Sequence, residues 1–111
     1  MREVQGLTDY HGKNVLVLGL ARSGFAVANL LMNLGANVTV SDLMQRTEEL
    51  EYADALQAKG AKVTLGEHPF SLLDNIDLVV KNPGIRYDVP ILVEAANREI
   101  SIVTENEVAE S

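Results

Sequence analysis

Between Asn14 and Gly24 the chain reads Asn-Val-Leu-Val-Leu-Gly-Leu-Ala-Arg-Ser-Gly, an apolar run that breaks at a glycine-bounded loop and continues with helical spacing. The chemistry this order suits is anion binding. A buried strand ending at Gly19 would turn tightly into a helix whose first N–H groups lack intrahelical acceptors, which makes a cradle for phosphate. Ser23 adds a hydroxyl beside its own N–H, and has the plainer role of helix N-cap open to it as well. Arg22 carries a guanidinium that can clamp phosphate oxygens in pairs or stay a solvated loop charge. In the dinucleotide pattern Gly-x-Gly-x-x-Gly, Gly19 and Gly24 take the first and third positions, while Ala21 puts a methyl where the second glycine lets a pyrophosphate approach the backbone. The ligand this predicts carries a phosphate or diphosphate.

Two further segments belong with that loop. Asp42 closes a second apolar run, 18 residues past Gly24, near the place where an acidic residue meets a ribose hydroxyl in dinucleotide folds. It suits a ribose hydroxyl, a base N–H, or simple capping of nearby backbone donors, and Leu43 and Met44 behind it offer an apolar wall for a base. Lys81-Asn82-Pro83-Gly84-Ile85-Arg86 follows the fourth run. Asn-Pro-Gly restricts the backbone before and at proline and frees it at glycine, so it reads as a fixed turn in which Gly84 brings an amide close to a ligand. Lys81 and Arg86, with Arg22, are expected to make this mouth locally positive. His11 and His68 stand apart from any nucleophile or second carboxylate and are expected to be structural or exposed. Glu105, Glu107 and Glu110 read as charges at a helix start. No catalytic or metal-binding constellation is present.

The elements that must position these residues alternate. Strand-like runs at 14–18, 37–41, 62–65, 78–80 and 100–103 are separated by helix-like segments at about 23–34, 48–59 and 89–98, with a short helical turn or loop at 69–75. The first and fourth runs are almost wholly apolar, as strands covered on both faces are. The predicted fold is therefore α/β: a Rossmann-like, doubly wound parallel sheet of about five strands with helices on both faces. Val27, Leu30, Leu31 and Leu34 form the core face of the first helix, which Gly35 stops. Glu48 and Glu49 at the start of the second helix and Lys59 at its end suit its dipole, and Gly60 follows. Pro90 fits the first turn of the third. In such a sheet the crevice lies beyond the carboxyl ends of the strands where the winding reverses, so the Gly19 and Pro83-Gly84 loops should face each other.

The 111 residues suit one domain, 1–111. The composition, 47% hydrophobic and 23% charged, is that of a globular protein, with no run approaching the roughly 20 apolar residues that span a bilayer. Met1 to Asp9 shows no secretory signal, so a cytoplasmic location is expected. The absence of cysteine excludes disulfides, thiol nucleophiles and thiolate metal sites. A net charge of −7 opposes a nucleic-acid surface, which needs many Lys/Arg contacts, whereas a small phosphorylated ligand needs only local donors. Thr104-Glu105-Asn106-Glu107 matches a capping box, yet only about one and a half turns follow it. It is expected to open a longer element, which makes the chain an excised N-terminal domain. A complete small protein with a frayed end is the alternative.

Taken together, Val17 to Ala26, Val40-Ser41-Asp42, Val79 to Ile85 and Thr104 to Glu107 resemble the N-terminal domain of the Mur ligases, in their D-glutamate-adding branch, over nearly the whole chain. Ala21 departs from members with a glycine there, and Asn82 stands where others often have serine before Pro-Gly. The resemblance implies a cytoplasmic step of peptidoglycan synthesis. ATP, with Mg, activates the carboxylate of UDP-N-acetylmuramoyl-L-alanine as an acyl phosphate, and the amine of D-glutamate attacks it. This domain would hold the UDP end, with the backbone amides of Arg22 and Ser23 at the diphosphate. Asp42, Leu43 and Met44 would meet the uracil and Gly84 the nucleotide-sugar part. Gly19, Ala21, Gly24, Asn82 and Pro83 complete the UDP-binding set. The family's P-loop of the Gly-x-x-Gly-Lys-Thr kind lies in a central domain and does not occur in this sequence. The fragment is thus expected to hold no cofactor, to catalyse nothing alone, and to work with central and C-terminal domains of the same chain. A NAD(P)-binding domain of a dehydrogenase and a nucleotide-sensing module are the competing readings.

Overall fold

A computed structural model describes residues 10–110; Met1 to Asp9, read above for targeting signals, lies outside them. Five strands alternate with helices: β1 (Asn14–Leu18), α1 (Arg22–Asn33), β2 (Asn37–Asp42), α2 (Thr47–Ala58), β3 (Lys62–Leu65), a 3-10 turn (Phe70–Leu73), β4 (Leu78–Lys81), α3 (Pro90–Asn97), β5 (Ser101–Thr104) and α4 (Glu105–Ala109). All strand pairs are parallel and the sheet order is β3-β2-β1-β4-β5. The expected α/β, Rossmann-like, doubly wound sheet is the fold observed.

The period-two geometry of β1 splits its side chains between two cores. Val15 and Val17 join α1, α2 and Val108 of α4 on one face, whereas Leu16 and Leu18 join Ile91, Leu92 and Ala95 of α3 and Leu73 on the other. All four β1 residues are fully buried, each contributing about 1.5–3 kcal/mol. On α1 the fully packed residues are Val27, Ala28 and Leu31 with Gly24. Leu30 is only partly buried against the core, and Leu34 has become the C-cap. The buried stripe is shifted toward the start of the helix, with Gly24 and Ala28 in place of Leu30 and Leu34, and Gly24 packs directly against the Gly19 backbone.

Helix ends explain the one-residue shifts from the expected boundaries. In α1, α2 and α3 the N–H groups of the first and second residues past the C-cap close onto the last turn: Gly35 to Met32 and Ala36 to Leu31, Gly60 to Gln57 and Ala61 to Leu56, Glu99 to Ala96 and Ile100 to Ala95. This is the Schellman arrangement. Two of its left-handed positions hold Gly35 and Gly60, while the third holds Glu99 at φ 61°. Because the Ile100 amide is spent on the helix, β5 begins at Ser101 and not at Ile100. Lys59 is the C-cap of α2 and does not lie within its last turn.

The chain leaves β1 toward β2 and β3, then returns to β4 and β5 on the other side, so the winding reverses between β1 and β4. The loops that follow these two adjacent strands flank one crevice.

Candidate functional site

At the carboxyl end of β1 the backbone turns at Gly19, φ 102°, with its N–H held by the Ser41 carbonyl at 2.9 Å. Helix α1 then begins at Arg22, with Ala21 as N-cap in extended conformation and no side chain capping it. Arg22 is thus the first helical residue, not part of the loop. Ser23 is not the cap: its hydroxyl accepts from Asn82 Nδ2 at 3.3 Å. The first turn of α1 contains no acidic residue. Its leading N–H groups therefore have neither a side-chain cap nor an acid from their own helix, a condition that favours binding a ligand anion. Arg22 and Ser23 are exposed, and the Arg22 side chain has no partner among the described residues.

Asp42 closes the turn beside this cradle. Its Oδ2 accepts from the Leu20 N–H and its Oδ1 from Met44 N–H at 2.8 Å, so one carboxylate ties the Gly19 loop to the segment after β2. A carboxylate offers about four acceptor positions, and two remain for a ligand. Leu43 and Met44 are 59% and 47% exposed, an arrangement that leaves apolar surface open to a flat ring.

The loop after β4 is built around two side chains. Asn82 Oδ1 accepts from the Gly84 N–H at 2.8 Å, an Asx turn, so the Gly84 amide is already engaged and what Gly84 presents is a surface without a side chain. Lys81 does not add charge to the mouth as expected. It is 2% exposed, its Nζ donates to the Ile85 carbonyl at 2.7 Å and to that of Asn82 at 3.2 Å, and it lies 4.5 Å from the Tyr87 ring centre. Its charge is consumed in fastening the loop. Arg86 forms a paired contact with Asp88, at 2.9 and 3.0 Å. Only Arg22 of the three expected cations stands unpaired.

A pocket of about 770 Å³ joins these pieces. Gly19, Ala21, Asp42, Leu43, Met44, Asn82 and Gly84 line it together with Ile85, Val89 and Ile91. Arg22, Ser23 and Pro83 are not among its lining residues: Arg22 and Ser23 follow the lining Ala21 in the chain and, like Pro83, are exposed, while Gly24 is buried, with an added Cβ falling 2.0 Å from the Gly19 carbonyl oxygen. Among the described residues no group of His, Asp and Glu could hold a metal ion, and no helix is long and apolar enough to cross a membrane.

Two residues that sequence reasoning set aside belong here. Glu105 is buried beneath the cradle, and His68 lines the pocket beside Asp42. The Ser41 hydroxyl donates to the Glu67 carbonyl at 3.0 Å and so must accept from His68 Nδ1–H across 2.7 Å, which fixes the tautomer and leaves Nε2 as an acceptor. Burial pushes the His68 imidazolium below the ordinary value of 6.5, against the opposing pull of Asp42. A depressed folded value makes the unfolded chain the better proton binder below 6.5, so stability present above that pH is lost as pH falls through the folded value. His68→Gln should remove this component. The measurement is the melting temperature at pH 7.5 and 5.5; a variant whose loss between the two equals that of the wild type would refute the assignment.

The family model for the N-terminal domain of Mur ligase MurD-like proteins matches residues 13–104. A UDP-N-acetylmuramoylalanine--D-glutamate ligase of Bacillus cytotoxicus is 56% identical over 104 residues, 93% of this chain and 23% of the relative. One of Halalkalibacterium halodurans is 57% identical over 101 residues, 91% of this chain and 22% of the relative. The chain thus spans less than a quarter of the length of these curated relatives. Among solved structures, a short-chain type dehydrogenase/reductase from Mycobacterium marinum superposes with a TM-score of 0.61 at 21% identity, over 92% of this chain and 58% of that one. A shikimate dehydrogenase from Aquifex aeolicus gives 0.59 at 16%, over 96% and 48%. At such identities the likeness shows the fold alone.

Proposed function

The chain belongs to the Mur ligase MurD-like family, as its N-terminal domain, and from that membership we propose that it holds the UDP end of UDP-N-acetylmuramoyl-L-alanine for the cytoplasmic, ATP-dependent addition of D-glutamate. The observation that supports the reading is a pocket whose lining brings together Ala21, the N-cap of α1, the Asp42-Leu43-Met44 segment, and Asn82 and Gly84 of the turn after β4. Those three parts suit the three parts of the ligand. The amides of Arg22 and Ser23 at the positive end of α1 receive the diphosphate, and Gly19 and Ala21 shape the turn under it. Asp42 accepts from the uracil while Leu43 and Met44 cover its face. Gly84, with Asn82 and Pro83, leaves room for the sugar beyond.

In the whole enzyme, ATP with Mg supplies the phosphoryl group that activates the substrate carboxylate, from central and C-terminal domains outside residues 1–111. This chain contributes no reacting group. Its residues supply remote binding energy, which helps hold the reacting carboxylate where those domains need it.

NMR titration of the chain with UDP-N-acetylmuramoyl-L-alanine, and separately with NADH, tests the proposal against the dehydrogenase-type reading. Amide shifts at Arg22, Ser23, Asp42 and Gly84 are expected with the UDP ligand. Shifts with NADH alone would overturn the reading.

A further inference from the structure

Glu105, the first residue of α4, is 4% exposed. Buried carboxylates are costly unless their oxygens are satisfied. Here Oε1 takes one long contact from Asn82 Nδ2, at 3.4 Å, and Oε2 has no hydrogen-bond partner among the described residues. Oε2 lies against Gly24, where an added methyl would sit 3.5 Å from it. The side chain therefore reaches from the end of β5 under the first turn of α1 and to the turn after β4.

We propose that Glu105 is the positioning residue of the anion cradle, a buried strut that sets Asn82 and, through it, the Ser23 hydroxyl and the Gly84 turn. The inference rests on the cradle being the seat of the diphosphate. Three features argue for it. The Asn82 amide is shared, its Nδ2 between Glu105 and Ser23 and its Oδ1 with Gly84 N–H, so its orientation depends on the carboxylate behind it. Helix α1 has no side-chain cap and no acid in its own first turn, and the Glu105 side chain packs against that turn from another element, beside Gly24. The placement is also beneath the helix start and not in its mouth, so the outward N–H groups stay available to a ligand.

The test is NMR titration of the wild type, Glu105→Ala and Glu105→Gln with UDP and with uridine. Loss of the strut in Glu105→Ala should weaken UDP about tenfold and leave uridine, which lacks the diphosphate, unchanged. Glu105→Gln keeps the length and one acceptor oxygen, and should restore UDP affinity to within about threefold of wild type. Wild-type UDP affinity in Glu105→Ala, equal losses for UDP and uridine, or no rescue by Gln would each overturn the proposal. Should Glu105→Ala not fold, Asn82→Ala removes the same strut from a half-buried loop, and unchanged UDP affinity in that variant overturns it equally. A wild-type chain that does not bind UDP overturns the functional reading and this inference together; UDP binding indifferent to Glu105 overturns the inference alone.

Discussion

Gly24→Val is expected to lower the melting temperature by roughly 10 °C or more and to abolish UDP binding. A Cβ at this position falls 2.0 Å from the Gly19 carbonyl oxygen and 3.0 Å from its carbon. Both are backbone atoms, so no rotamer change relieves the clash. Gly19 cannot retreat cheaply either, since its N–H is bound to the Ser41 carbonyl at 2.9 Å. The remaining relief is for α1 to lift off β1, which uncovers Val27, Ala28 and Leu31. Overpacking of this kind costs about 1–3 kcal/mol or more, and a domain of this size loses about 4–8 °C per kcal/mol. Gly24→Ala carries the same Cβ and should lose nearly as much, which separates the clash from the extra bulk of valine. Thermal melts and UDP titrations of both variants decide it: a Gly24→Val protein with wild-type melting and affinity would show that the close approach of α1 to β1 does not shape the cradle.

The same close approach shows how far residue types alone carry the fold. Gly19 and Gly24 are visible in the sequence because only glycine tolerates a tight turn and a backbone-to-backbone contact, and the apolar runs around them mark covered strands. Asp42 and Asn82-Pro83-Gly84 are visible for a similar reason, lying at strand ends with local turn chemistry. What stayed hidden depends on partners far along the chain. Glu105 sits inside a capping box whose working members are Thr104 and Glu107, so it reads as one more solvated helix charge until α1 is seen to pass over it. His68 bonds Ser41, 27 residues earlier, with no local pattern to announce it. Lys81 looks like a free cation beside a phosphate loop, but its ammonium turns inward to carbonyls of its own loop. Glu99 takes a left-handed position that glycine fills in α1 and α2, which moved the start of β5 by one residue. Local conformational demands were legible, and long-range polar satisfaction was not.

Asp42→Asn, an isosteric change, is expected to weaken UDP binding about 10–100-fold, the cost of one charge-assisted hydrogen bond. The reason lies in how its oxygens are used. Oδ2 accepts from Leu20 N–H and Oδ1 from Met44 N–H at 2.8 Å, so both flanks of the carboxylate face donors. An asparagine has one oxygen and one amino group. Whichever way it turns, an N–H meets another N–H, and either the Leu20 loop or the Met44 segment must move. Moving Leu20 disturbs the turn that leads into α1; moving Met44 withdraws the apolar wall from the base. Asp42→Ala removes both acceptors but leaves no opposed donor, letting water reach the two amides. Its loss of affinity should therefore be no greater than that of Asp42→Asn, although asparagine is the closer mimic. Titration of the two variants with UDP measures the order directly. An asparagine variant that binds like the wild type would mean that the carboxylate neither ties the Gly19 loop to the nucleoside wall nor receives the uracil, and the role of Asp42 would then shrink to ending β2.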